Sequence, residues 1–201
     1  MQTNLGGRPQ TPGLSEALLQ AAERTMVSEG FEALTVDRLV TEVGTTRPTF
    51  YRRFPSTSAL AFEVIWRRFG TGSPVDTGSL SDDLLTLQRE DIAMFSTPLM
   101  QRNLPGLVRL VRSDPEIRSR YRSDFIEPRR ANVRDLICSA ADRGEIPSAD
   151  VDFELVCDLL IGPLLARTLL PLEGALDDRL ARMTVQTVMT QLGASPHGTK
   201  A

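Results

Sequence analysis

Apolar residues in this chain recur three and four positions apart along almost its whole length, and no stretch alternates in the manner of a strand. A strand buries every second residue and a helix every third or fourth, so the period predicts an all-α protein. Leu14, Leu18, Ala21, Ala22, Thr25 and Met26 form one stripe, bounded by Thr11-Pro12 before and Gly30 after, which predicts a helix over roughly 12–29. Val36, Leu39, Val40 and Val43 form a short second stripe that starts at Thr35 and stops at Gly44. Thr46 then caps a third helix over 47–53, with Pro48 tolerated in its first turn. A fourth helix opens near Ser56. The stretch 70–79, "GTGSPVDTGS", is rich in Gly, Ser, Thr and Pro and marks a boundary between two modules. Beyond it the periods predict helices near 80–96, 103–113, 115–143, 151–170 and 177–192, with Pro128 kinking the third of these and Gly144 ending it.

Composition removes several function classes. No run reaches the ~18 apolar residues that a membrane span needs, and the first residues do not read as a secretory signal, so the expectation is a cytoplasmic protein. The two cysteines, Cys138 and Cys157, form no CxxC and read as small buried helical hydrophobes. The single histidine, His197, sits in a polar tail. Neither a metal site nor a cofactor is expected.

The most informative stretch is "GTTRPTFYRRF", residues 44–54. It gathers three arginines and three aromatics without an acid, in a chain whose net charge is −3. Phe50 and Phe54 lie four apart on one face, whereas Arg47, Tyr51 and Arg52 turn the other way. Two short helices joined at a glycine, the second opening with hydroxyls and cations, describe a helix-turn-helix. Its second helix fits the major groove, with its N-terminal end toward phosphates and base edges. The residues placed on DNA are Thr35, Thr45, Thr46, Arg47, Pro48, Thr49, Tyr51, Arg52 and Arg53, with Arg8 reaching from a flexible arm over 1–11. Phe50 and Phe54 are core.

From about residue 14 to 60 the chain resembles the DNA-binding module of the TetR (tetracycline-repressor-like) family. The resemblance rests on "GFEALTVDRLVTEVGTTRPTFYRRFPSTSAL". The chain departs from the family pattern at Thr57, where a lysine is common, and at Val43, where alanine is usual. The resemblance implies a DNA-binding module over 1–60 and, over 61–201, a helical domain that binds a small effector and forms a homodimer. It also implies regulation, more often repression, of a palindromic operator on double-stranded DNA.

The second module agrees. "FELVCDLLIGPLLARTLL" is apolar on most of its surface and must be covered on several sides, so the helices near 151–170 and 177–192 are the expected dimer interface. Candidate linings of an effector pocket are Trp66, Phe69, Met94, Phe95, Met100, Leu104, Leu107, Phe125 and Leu165. The prolines and glycine of "FSTPLMQRNLPGLVRLV" are expected to interrupt helices there and leave space. Arg109 and Arg112 either meet an anionic ligand or are solvated. The fourth helix belongs to both modules, so the expected signal is a ligand-driven shift of that helix. Two other readings remain at this point: a helical interaction module without DNA function, and an enzyme on a helical fold.

Overall fold

Local signals set most of the helices. The computed structural model describes residues 13–70, 75–170 and 173–194. They form α1 (Leu14–Ser28), α2 (Val36–Val43), α3 (Arg47–Tyr51), α4 (Thr57–Phe69), α5 (Leu80–Phe95), α6 (Pro98–Ser113), α7 (Pro115–Arg120), α8 (Glu127–Asp142), α9 (Phe153–Leu169) and α10 (Asp178–Gln191). No strand occurs among the described residues. The chain divides into two units, Met1–Val64 and Ile65–Ala201. Helix α4 runs through the division, with residues in each.

In the first unit α1 packs on α2, and α2 on α3. Leu18, Ala21, Ala22 and Met26 of α1 are fully buried, as are Leu39 of α2, Phe50 of α3 and Leu60 of α4. The turn between α2 and α3 follows from its residues. The Thr35 hydroxyl accepts the Arg38 N–H and starts α2. Gly44 takes φ 70°, and Thr45 N–H reaches back 2.8 Å to the Val40 carbonyl. That left-handed turn costs an L side chain about 1–2 kcal/mol and glycine little. Helix α3 is shorter than the expected 47–53. Past Tyr51 the Arg53 N–H bonds the Phe50 carbonyl three residues back, and the chain turns off. Thr46 precedes α3, yet its hydroxyl meets that of Thr49 at 3.0 Å instead of capping a backbone N–H.

The second unit has its own core, in which Leu80 and Leu84 of α5 meet Val133, Ile137 and Ala140 of α8, Val156 and Leu160 of α9, and Val185 and Val188 of α10. Three expectations need correction here. Helix α6 begins at Pro98, not near 103: the Thr97 hydroxyl accepts the Met100 N–H, Pro98 occupies the first turn, and Pro105 sits within a continuous helix. The segment after 115 is α7, a π-helical turn over Tyr121–Ile126, and α8. Pro128 has no N–H to bond a carbonyl upstream, and the wider π turn lies directly before it. Cys138 is exposed on α8, not buried, while Cys157 is buried. Arg8, Thr11, Pro12 and His197 lie outside the described residues.

Candidate nucleic-acid interface and ligand cavity

Helix α3 has two faces of opposite character. Phe50 is 0% exposed and is flanked by Phe54, whose ring centroid lies 6.1 Å away. Tyr51, the next residue, is 54% exposed, its ring set edge-on to Phe50 at 5.4 Å. Arg47, Pro48 and Arg52 are exposed beside it, with Thr46, and Thr49 is half-buried. The Arg52 guanidinium donates to the Thr49 hydroxyl at 3.1 Å, so the two present one polar surface. Thr35 is exposed and Thr45 half-buried. Arg53 departs from this set: it is half-buried, and its Nε is enclosed without a partner.

The charge of this face is less lopsided than the sequence implied. Arg47 makes a two-pronged ion pair with Asp37 of α2, each about 60% or more exposed. The hydrogen bonds hold the Asp37 carboxyl below the usual carboxylate range and raise the Arg47 guanidinium. Arg38 pairs with Glu29, and Arg24 with Glu42 at 2.8 Å. Asp37 is the functional neighbour that a reading along the chain misses, because the two residues are ten apart and meet only where α2 crosses α3.

The second unit holds a cavity of about 320 Å3 that is partly open to solvent. Phe69, Met94, Phe95, Met100, Leu104, Leu107, Phe125 and Leu165 all line it. Trp66 does not: its indole packs against the turn at Gly70, where an added Cβ would meet it at 2.6 Å. Neither Arg109 nor Arg112 reaches the cavity; both are exposed on α6.

Its polar wall lies outside the expected set: Asp91 of α5, Tyr121 of the π turn and Arg129 of α8. Tyr121 and Phe125 stack with centroids 5.5 Å apart, and the Arg129 guanidinium lies 3.9 Å from the Phe125 centroid. Burial pushes the Asp91 carboxyl up to about 6, against the pull of Arg129. Burial likewise raises the Tyr121 phenol and lowers the Arg129 guanidinium. The Asp91 side chain still keeps 28% of its surface open because it borders the cavity. Cys157 lines the same space, its thiol raised by burial and therefore unreactive.

Comparison with known proteins agrees on both units. Residues 18–64 match the model of the bacterial regulatory proteins of the tetR family, and residues 74–188 match the tetracyclin repressor-like C-terminal domain. The HTH-type transcriptional regulator YdeS of Bacillus subtilis is 28% identical over 165 residues, 82% of each chain. A DNA-binding transcriptional repressor TetR of Mycobacteroides abscessus is 26% identical over 184 residues, 89% of this chain and 93% of the other. Among solved structures, the TetR family transcription regulator SCO0332 superposes with a TM-score of 0.65 at 27% identity, covering 92% of this chain and all of its own.

Proposed function

The chain belongs to the TetR family and is a DNA-binding transcriptional regulator, and from that premise we propose that it works as a cytoplasmic homodimeric repressor of a palindromic operator, released by a small molecule. The observation that carries the DNA reading is the open face of α3. Tyr51 and Arg47, with Arg52 directly after the helix, are exposed while Phe50, in the same five-residue helix, is fully buried. A side chain as large as Tyr51, left 54% exposed beside cations and hydroxyls, suits a phosphate contact at a groove edge. Thr45, Thr46, Thr49 and Thr35 supply shorter donors. Arg53 is a weaker member of the set.

Dimerisation is supported by apolar surface that one chain leaves uncovered. On α9, Leu155 is 37% exposed and Leu169 is only half-buried; Met183 on α10 is 54% exposed. No heavy atom lies within 4 Å of where a Cβ would stand at Gly162, so a partner helix has room to approach there. A second copy covering α9 and α10 would place two recognition helices on one duplex, as two half-sites about 34–36 Å apart require. The cavity of the second unit is the effector site in this reading. Helix α4 carries residues of both units and is the element through which an effector acts on the first. The effector must bind the DNA-fitting and non-fitting states unequally to do so.

The test is a band shift against the DNA upstream of the chain's own gene, with Tyr51→Ala and Arg52→Ala. Loss of binding with an unchanged thermal melt is expected. For Arg52→Ala, the salt dependence should become shallower by about two ions per dimer, one for each lost phosphate contact. Unchanged affinity in both variants would refute the assignment of this face.

A further inference from the structure

The cavity wall carries a hydrogen-bond acceptor that no donor among the described residues meets, and a second lies enclosed beside it. The Asp91 carboxylate receives no hydrogen bond from any described residue. Its neighbouring cation, Arg129, holds Nε 3.9 Å from Oδ1, beyond hydrogen-bond reach. Two of the five Arg129 N–H donors are engaged elsewhere, by backbone carbonyls. Nη1 donates to the Phe125 carbonyl at 3.0 Å, Nη2 to the Phe69 carbonyl, and the guanidinium plane rests on the Phe125 ring. One turn earlier on α5, Gln88 is 2% exposed. Its Nε2 donates to the Leu160 carbonyl at 2.8 Å, which fixes the amide, since the flipped form would set two oxygens against each other. Its Oε1 is left enclosed without a partner. Gln88 and Asp91, three apart, lie on the one face of α5 that borders the cavity, and the Asp91 carboxyl is the acceptor open to it.

Charge narrows the choice of ligand further. The inner wall holds one carboxylate and one guanidinium, so it is balanced. Arg68 and Glu90 are exposed, and Arg130 is paired with Glu154. An anionic ligand would face Asp91 and compete with the Phe125 and Phe69 carbonyls for Arg129. A cationic one would take Asp91 from Arg129 and leave that guanidinium without its counter-charge, which is costly.

We propose that this cavity binds an uncharged, largely apolar molecule whose polar edge is an O–H or N–H donor seated on the Asp91 carboxyl. The proposal deepens the reading of the cavity as the effector site and rests on it. At about 320 Å3 the cavity stands at the small end of the ~300–1,000 Å3 usual for ligand pockets, so the body is about the size of two fused rings.

Calorimetric titration of the full chain, without DNA, with four naphthalenes of matched size tests it. The neutral donor 1-naphthol should bind one per protomer. 1-Methoxynaphthalene, which lacks the donor, should bind at least about tenfold more weakly, because it leaves a buried acceptor unmet. The anion 1-naphthoate and the cation 1-naphthylmethylammonium should also fall at least about tenfold below naphthol. Asp91→Leu should bring naphthol and methoxynaphthalene close to parity. Should that variant not fold, the ranking on the wild-type protein still decides. Naphthoate or the ammonium binding tightest, naphthol and methoxynaphthalene binding equally, or no probe binding at all would overturn the proposal. Because no DNA is present, these outcomes are separate from the band shift. A wild-type protein that binds no operator while its naphthol selectivity is intact would sink the repressor reading alone.

Discussion

Replacing Asp91 by asparagine should change how the protein's stability depends on pH. Burial raises the Asp91 carboxyl from 3.8 to about 6, with Glu90 adding to the rise and Arg129, the cation across from it on α8, opposing it. A folded-state value above the unfolded one means that the native protein holds this proton more tightly. Between about pH 4 and 6 the native state therefore binds more protons than the unfolded chain, and stability falls as pH rises through that window. The contribution is fully present below 3.8 and gone above about 6. Two units at 1.36 kcal/mol each give about 3 kcal/mol, an upper bound because the side chain keeps 28% exposure and is partly screened. Asparagine does not titrate. The variant's stability relative to wild type should thus improve by up to about 3 kcal/mol between pH 4 and pH 7.5. Urea unfolding of both proteins at four pH values, at one fixed protein concentration, measures it, and the titration of every other group cancels in the difference. A difference that stays flat with pH, or that moves against the variant as pH rises, would mean that Arg129 compensates the carboxylate fully and that the buried-acceptor argument is wrong.

Other outcomes follow from the first unit and from the outer face of the second. Gly44→Ala has open space around the new Cβ but must hold φ near 70°, so urea unfolding should show a loss of about 1 kcal/mol, attributable to backbone conformation alone. Asp37→Asn releases Arg47 from its ion pair, so binding to non-operator DNA should tighten and its salt dependence steepen; unchanged salt dependence would mean Arg47 stays off the phosphates. Met183→Glu places a charge on the exposed apolar patch of α10, and sedimentation should show the dimer shifting toward monomer while the helical content by circular dichroism is kept.

What the sequence could reveal divides along a physical line. The hairpin of α2 and α3 is set by residues adjacent in sequence: a hydroxyl cap at Thr35, a glycine at the left-handed position, a proline in a first turn, and apolar positions three and four apart. Each can be read without knowing where the rest of the chain goes. The start of α6 is equally local, a Thr-Pro cap at 97–98, although the apolar period alone places it near 103. The pairing of Arg47 with Asp37 is of another kind, since it depends on how two helices cross, and no count of charges within residues 44–54 contains it. The cavity depends on packing too, since α5 meets α6, α8 and α9 around it. Yet one trace of it does lie in the sequence. Leu84, Gln88, Asp91 and Phe95 fall at intervals of four, three and four, a single inward stripe of α5, buried except at Asp91, with its two middle members polar. A helix face that packed wholly against other helices would pay several kcal/mol for an unmatched carboxylate at that position. At Gln88 and Asp91 the polar interruption of the apolar stripe coincides with the face of α5 that borders the cavity, whereas Asp83, buried on the same helix, lies off it.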